Sequence, residues 1–202
     1  MERRLIPINA WIALHRGEAG WPAKLAEQGF RIHRLEAPIQ TSQGQVVVDG
    51  ISVADARHAV VPTECKSGQN IENDQAQRYA AMTATDVARF VGLPFGPASA
   101  ELNPMYACLE ESKAGVVVDL DRLGLAFAVL SVGDGNVALD ARGSTLLQTF
   151  DQAVPAGPPP RYVVLDPDSP DDEFVEYLMP ELVATASRGE EYIRLETLVE
   201  WV

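Results

Sequence analysis

VVVDGISVADARHAVVPTECKSGQNIENDQAQRY, residues 46–79, contains two short apolar runs that each end at or near an acidic residue. The runs from Val46 to Ile51 and from Ala59 to Lys66 are rich in β-branched residues and are bounded by turn-forming residues, so both are predicted to be β-strands. Because side chains alternate between the two faces of a strand, Glu64 and Lys66 are expected to share one face. The stretch therefore predicts a carboxylate and an ammonium in one small space.

Asp49 ends the first of these strands and adds a second carboxylate if the two strands are neighbours. Two such carboxylates can hold Mg²⁺ or Mn²⁺ through oxygen, and the backbone carbonyl of Cys65 could supply a further ligand while its side chain turns to the opposite, buried face. The ion would polarise a phosphodiester and acidify a bound water, and Lys66 would orient or deprotonate that water. Asp49, Glu64 and Cys65 are thus the predicted metal ligands.

Lysine is an informative choice at position 66, because the chain has only three lysines against thirteen arginines. An ammonium beside a metal ion can give up its proton, whereas a guanidinium cannot. We therefore expect Asp49, Glu64 and Lys66 to converge on one exposed site.

A polar amphipathic segment from Asn70 to about Met82 is predicted to be the next helix. Gln75 and Tyr79 are four residues apart, so both can approach the site if that face packs over the strand that carries Lys66. Tyr79 could equally be a core aromatic residue whose hydroxyl is satisfied nearby.

Asp49 followed by Glu64-Cys65-Lys66 resembles the PD-(D/E)XK motif of the restriction-endonuclease-like nucleases. The stretch Gln75-Ala76-Gln77-Arg78-Tyr79 resembles the QxxxY element of the RecB-like and λ-exonuclease-like members of that superfamily. Val48 stands where the motif often has proline. The acid that some members carry on an upstream helix could be Glu18 or Glu27.

The resemblance implies an α/β fold with a restriction-endonuclease-like core, in which a central mixed β-sheet is flanked by helices. It also implies Mg²⁺-dependent hydrolysis of phosphodiester bonds, with DNA as the substrate, in repair, recombination or defence against foreign DNA. Asp49, Glu64 and Lys66 would be the catalytic centre. Gln75 and Tyr79 would organise it.

Two other interpretations stay open. In a purely structural one, Asp49 starts a turn, Glu64 and Lys66 form an exposed ion pair, and Gln75 and Tyr79 are ordinary helix residues. In the other, the chain is a catalytically silent nuclease-fold module that binds a protein or a nucleic acid. An enzyme acting on small phosphates is less favoured, because the sequence has no P-loop or Rossmann fingerprint.

Composition is that of a soluble globular protein, with 47% apolar and 22% charged residues in a chain of 202. The two cysteines, Cys65 and Cys108, form no CxxC pair, so neither a zinc site nor a disulfide framework is indicated. No apolar run approaches the roughly 18 residues of a membrane span, and the apolar run at the start is too short for a signal peptide. A cytoplasmic location without membrane contact is expected.

The net charge of −13 argues against casual binding of nucleic acid, but the charge is unevenly distributed. Residues 1–150 carry 13 basic and 17 acidic groups, whereas residues 151–202 carry 3 basic and 12 acidic groups. The Pro-rich stretch 151–160 is a predicted linker. We therefore expect a nuclease-like domain at 1–150 and an acidic strand-helix-helix appendage at 161–202, which is a candidate surface for a homodimer or another protein partner.

Overall fold

A mixed β-sheet forms the centre of the part of the chain that the structure describes. The computed structural model describes residues 5–17, 19–68, 70–157 and 159, and the chain divides into two units at residues 1–161 and 162–202. The described elements all belong to the first unit. The predicted appendage at 161–202, the partner surface assigned to it, and Glu18 lie outside the described residues.

Helices and strands follow one another along the described chain in groups of one to three elements. They are α1 (Ile6–Arg16), α2 (Lys24–Glu27), β1 (Arg31–Thr41), β2 (Gly44–Ala54), β3 (Ala59–Lys66), α3 (Asn73–Ala80), α4 (Ala84–Val91), β4 (Glu101–Leu102), β5 (Met105–Leu109), α5 (Glu110–Leu123), β6 (Ala128–Gly133), β7 (Asn136–Asp140) and β8 (Phe150–Ala153), with two short 3₁₀ turns at Asp55–Arg57 and Pro97–Ser99. None of the helices in the described ranges is both long and apolar enough to cross a membrane.

The eight-stranded sheet has the order β1-β2-β3-β5-β6-β7-β8, with β4 paired to β3 off this path. β1, β2 and β3 form an antiparallel meander. β5 then pairs parallel to β3, and β6 pairs parallel to β5, so α3 with α4 and then α5 belong to the two crossovers. β7 and β8 complete the sheet antiparallel. The predicted α/β class with a mixed sheet flanked by helices is confirmed.

Helix α1 is a mostly apolar helix that the sequence analysis did not predict. Residues from Pro7 to His15 are all buried, so this part of the helix has no exposed polar face. Pro7 is tolerated in the first turn, and Gly17 ends the helix in the left-handed conformation with φ 69°. The absence of an amphipathic pattern, which marks most helices in a sequence, explains why this one was missed.

Two layers of side chains cover the sheet. On one face α3, α4 and α5 contribute Ala76, Tyr79, Val87, Val116 and Leu120 to a cluster of buried residues with the strands. On the other face lies α1, whose Trp11 ring packs against Gly50 of β2. The sheet therefore separates a face that includes α3 from a face that includes α1.

Several element boundaries differ from those predicted. The sequence pattern predicts only a short helix around Val118–Leu123, whereas α5 begins at Glu110 and ends at Leu123. Gly115 and the β-branched run that follows it weaken the helical signal of the first part. α4 occupies a stretch for which no element was predicted, although Thr83 and Asp86 form a capping box at its start. β8 begins at Phe150 and extends three residues into the stretch assigned to the linker.

Gly50 is a mid-strand glycine whose missing side chain is required by the packing of Trp11. A Cβ added at Gly50 would lie 2.7 Å from the Cη2 atom of the Trp11 ring. Gly50→Ala should therefore lower the free energy of unfolding by about 1–3 kcal/mol, because the buried ring has to move. Chemical denaturation monitored by circular dichroism measures this change.

The matched control is Gly96→Ala. Gly96 has φ −65° and no atom within 4 Å of an added Cβ, so alanine fits there without strain. An equal loss of stability in the two variants would contradict the assigned role of the Trp11 contact.

Candidate active site

The site begins at Asp49, a carboxylate in the middle of β2. Val48 before it and Ile51 after it both belong to the buried cluster that includes residues of α3. The pairing of β2 with β1 keeps its register across this position. Asp49 therefore lies next to buried residues within a continuous stretch of the sheet.

Asp49 binds the neighbouring strand with its side chain. The ladder between β2 and β3 runs from Ala54 and Ala59 to Gly50 and Thr63. Beyond that point the Asp49 Oδ2 atom accepts a hydrogen bond from the backbone N–H of Cys65 at 2.6 Å. The carboxylate thus satisfies a strand N–H at the point where the β2–β3 ladder ends.

Glu64 is a buried carboxylate with a donor at each oxygen. Its Oε1 atom lies 3.0 Å from Lys66 Nζ, and its Oε2 atom accepts a hydrogen bond from the Tyr79 hydroxyl at 2.8 Å. Only 6% of the Glu64 side chain is exposed, so the charge depends on these two partners. The interpretation of Glu64 and Lys66 as an exposed ion pair is excluded by this burial.

Lys66 is held by α3 as well as by its own strand. Its Nζ atom donates to Gln75 Oε1 at 2.6 Å and lies 3.7 Å from Glu72 Oε1. Glu72 is mostly exposed, whereas 17% of the Lys66 side chain is accessible. The ammonium therefore lies among acidic and amide oxygens at the edge of the buried site.

Helix α3 presents Gln75 and Tyr79 to β3 from successive turns of one face. Its start is fixed from α5, because Asp119 Oδ2 accepts a hydrogen bond from the Ile71 N–H at 3.1 Å and Arg122 donates to Asn73 at 3.1 Å. These contacts hold the helix in the position from which its polar side chains reach Lys66 and Glu64.

The carboxylates of the site repel one another. Burial, followed by the nearby Glu64 charge, raises the pKa of Asp49 to about 7, although the Cys65 N–H and Lys66 oppose the shift. Burial and then Glu64 also raise the pKa of the Tyr79 phenol well above its usual range. A site with two close carboxylates and a neutral phenol donor is the result.

Glu36 is a third acidic residue near the site, and no pattern in the sequence pointed to it. It lies on β1 between Leu35, which pairs with Gly50, and Ala37, which pairs with Val48, so it faces Asp49 across the meander. Its φ is 48°, a conformation that costs a residue with a side chain roughly 1–3 kcal/mol. Partial burial and then the Glu64 charge raise the pKa of Glu36.

All five residues predicted for catalysis lie together. Asp49, Glu64, Lys66, Gln75 and Tyr79 form one network of contacts and electrostatic interactions. The expectation that the site is exposed is wrong for its central residue, because Glu64 is 4% accessible.

The remaining expectations concern the upstream acid and Cys65. Glu27 lies in α2 and pairs with Lys24 at 2.7 Å. Cys65 is half-buried, and its backbone N–H is the donor to Asp49. Coordination of a metal ion by the Cys65 carbonyl stays a prediction.

Metal-binding capacity rests on a small set of side chains. Within residues 5–17, 19–68 and 70–157, no three His, Cys, Asp or Glu side chains are grouped so that they could hold a metal ion. Asp49 and Glu64 would therefore provide two carboxylates, and the remaining ligands would have to come from water, backbone or substrate.

Comparison with known proteins locates one family similarity. Residues 4–93 match the family model described as the MJECL32 domain. The matched range contains β1 to β3, α3 and α4, and with them all five predicted catalytic residues. Neither the curated proteins nor the solved structures give a match to the chain.

Lys66→Met tests how far the buried carboxylate depends on its ammonium partner. The substitution leaves Glu64 buried with one donor, so we expect the free energy of unfolding to fall by roughly 3 kcal/mol. The matched control is Lys24→Met, which removes an exposed ion pair at 2.7 Å from Glu27 and should cost less than about 1 kcal/mol. Urea denaturation of both variants measures the difference. Equal losses would mean that Glu64 does not need Lys66.

Proposed function

We propose that the chain is a Mg²⁺-dependent nuclease of the PD-(D/E)XK type that hydrolyses phosphodiester bonds in DNA, in repair, recombination or defence against foreign DNA. The observation that carries the proposal is the convergence of Asp49, Glu64 and Lys66, from two neighbouring strands, with Gln75 and Tyr79 from the helix that follows. These five residues are separated by up to thirty positions in the sequence and lie together in the fold.

The order of elements supports the proposal of a restriction-endonuclease-like core. Helices α1 and α2 precede three antiparallel strands, two helices follow, and the next strand of the sheet, β5, runs parallel to β3. The resemblance implies a core that opens with a helix followed by three strands, and α2 followed by β1, β2 and β3 has that order. The site lies at the carboxyl end of β3, where its Glu64 and Lys66 are next to the crossover that leads through α3.

The donor set fits Mg²⁺ or Mn²⁺ and fits Zn²⁺ poorly. Mg²⁺ is commonly bound by one or two carboxylates and completes its shell with water and substrate phosphate, whereas structural zinc needs four Cys or His ligands. Asp49 and Glu64 supply the two carboxylates. Burial and then the Glu64 charge raise the pKa of Asp49, and a divalent cation would offset the repulsion between the two carboxylates.

The residues of the site divide the proposed reaction among them. A bound ion would polarise the phosphodiester and lower the pKa of a water molecule. As an ammonium, Lys66 would orient that water and offset negative charge in the transition state, and it could accept a proton of the water only after it had given up one of its own beside the ion. Gln75 fixes the ammonium through its 2.6 Å hydrogen bond, and Tyr79 fixes Glu64 through its 2.8 Å hydrogen bond.

A cytoplasmic location is part of the proposal. Cys65 and Cys108 are both free thiols, the state that a reducing compartment maintains.

The second candidate function, a silent module that binds without cleaving, is distinguished from the nuclease by a single assay. Purified protein is incubated with plasmid, linear duplex and single-stranded DNA in Mg²⁺, Mn²⁺ or EDTA. Cleavage that requires the cation supports a nuclease, and binding without cleavage supports the silent module.

Asp49→Ala and Glu64→Ala each remove one proposed metal ligand. Each should lower metal-dependent cleavage by a factor of about 10³, because the ion stabilises the transition state by several kcal/mol and each 1.36 kcal/mol is worth tenfold. Initial rates of plasmid cleavage measure the effect. The control is Asp151→Ala, which removes an exposed carboxylate on β8, at the opposite end of the sheet order from β1. Wild-type rates in either site variant would reject its assignment as a ligand.

Lys66→Arg keeps the positive charge but prevents proton transfer and changes the geometry of the donor. It should lower the cleavage rate by about 10²-fold with little change in DNA affinity. Gln75→Ala and Tyr79→Phe, which act through other side chains, should each cost about tenfold. Single-turnover kinetics and fluorescence anisotropy with labelled DNA measure the two quantities. Near-normal turnover of Lys66→Arg would reduce Lys66 to an ion-pair partner.

A further inference from the structure

Tyr106 is a buried tyrosine that lies beside the site. It lies on β5 directly next to Glu64 of β3, in register on a parallel pair of strands, so the two side chains share a face of the sheet. Its ring centroid lies 6.2 Å from that of Tyr79, whose hydroxyl is bonded to Glu64. On its other side the ring stacks on Phe127 at 6.1 Å.

The Tyr106 hydroxyl is a donor without an acceptor. The residue is 0% exposed, and within the described ranges its oxygen has no hydrogen-bond partner. A buried polar group in this state costs free energy of folding that phenylalanine would not cost. After burial, Glu64 is the charge that most raises the pKa of the phenol, so the hydroxyl stays protonated and able to donate.

Glu64 has a reason to need another donor. Both of its oxygens are bonded, one to Lys66 and the other to Tyr79. A divalent cation bound by Glu64 would repel the ammonium that lies 3.0 Å from its Oε1 atom, so binding of the cation favours separation of Glu64 from Lys66. Tyr106, in register with Glu64, is a buried donor still available on that face of the sheet.

We propose that Tyr106 is a positioning residue whose hydroxyl donates to Glu64 when that carboxylate leaves Lys66 to hold the metal ion. The part of this inference that concerns the ion rests on the proposed nuclease function. The contact between the Tyr106 hydroxyl and Glu64 does not rest on that function. Replacing Lys66 should free Glu64 from its ammonium partner in the same way as binding of the ion would.

The first experiment therefore uses stability without metal. In the wild-type background, Tyr106→Phe removes an unpartnered hydroxyl and should raise the melting temperature. In the Lys66→Met background, where Glu64 has lost its ammonium partner, the hydroxyl should be bonded to Glu64, and Tyr106→Phe should lower the melting temperature. Thermal unfolding of the full chain in EDTA measures both. The same sign of change in both backgrounds would overturn the inference.

The matched control is Thr63→Val. Thr63 precedes Glu64 and carries another buried hydroxyl without a partner, but it pairs with Gly50 and so belongs to the face that α1 covers. Its substitution should raise the melting temperature by the same amount in both backgrounds. A reversal of sign for Thr63→Val as well would show that Lys66→Met perturbs the sheet generally, and would overturn the assignment to Tyr106.

The second experiment uses Mn²⁺ alone as the probe. Calorimetric titration of the metal-free protein should give a dissociation constant about tenfold weaker for Tyr106→Phe than for wild type, the scale of one hydrogen bond to a charged group. Thr63→Val should bind as wild type does. With DNA and Mn²⁺, Tyr106→Phe should lower kcat and leave KM unchanged, because the buried hydroxyl does not touch substrate.

The outcomes separate this inference from the proposed function. Wild-type Mn²⁺ affinity in Tyr106→Phe would overturn the role of Tyr106 and leave the nuclease proposal standing. A wild-type protein that neither binds Mn²⁺ nor cleaves DNA would overturn the nuclease proposal and the metal-linked role together, while the reversal of sign in EDTA would still report on the contact between Tyr106 and Glu64.

Discussion

The buried carboxylate of Glu64 is the constraint around which this part of the protein is arranged. A charge removed from water is tolerated only when donors replace the lost hydration, and here one comes from β3 itself and one from α3. Lys66 shares the face of Glu64 because it lies two residues further along the same strand. The hydroxyl of Tyr79 must arrive from a helix that packs over the strand, so the placement of the crossover is tied to one acidic side chain.

The carboxylate of Asp49 is brought to the same place by the pairing of β2 with β3, which reaches Gly50 and Thr63. Gly50, the next residue, accepts the Trp11 ring on the other face. One residue therefore serves the packing of α1 while its neighbour is turned toward Cys65 and Glu64. The left-handed backbone of Glu36, opposite on β1, indicates that this strand carries strain here.

Sequence patterns were sufficient for the features that depend on local periodicity. The bounds of β3, the shared face of Glu64 and Lys66, and the turn-to-turn spacing of Gln75 and Tyr79 all follow from repeats of two or four residues. Features that depend on tertiary contacts carried no such signal. α1 has no polar face to reveal a helix, Glu36 reaches the site through an unusual φ, and Tyr106 reads as an ordinary core aromatic until β5 is placed beside β3.

The attachment of α3 has a consequence for how the protein opens. A helix of eight residues does not persist by itself in water, so α3 depends on its tertiary contacts. Two of those contacts, from Gln75 and Tyr79, are made by the site side chains. Fraying of α3 and disassembly of the site are then a single sub-global event, which can occur while the rest of the sheet remains folded. Function would be lost at a temperature or denaturant concentration well below that of global unfolding, and would return when the helix re-forms.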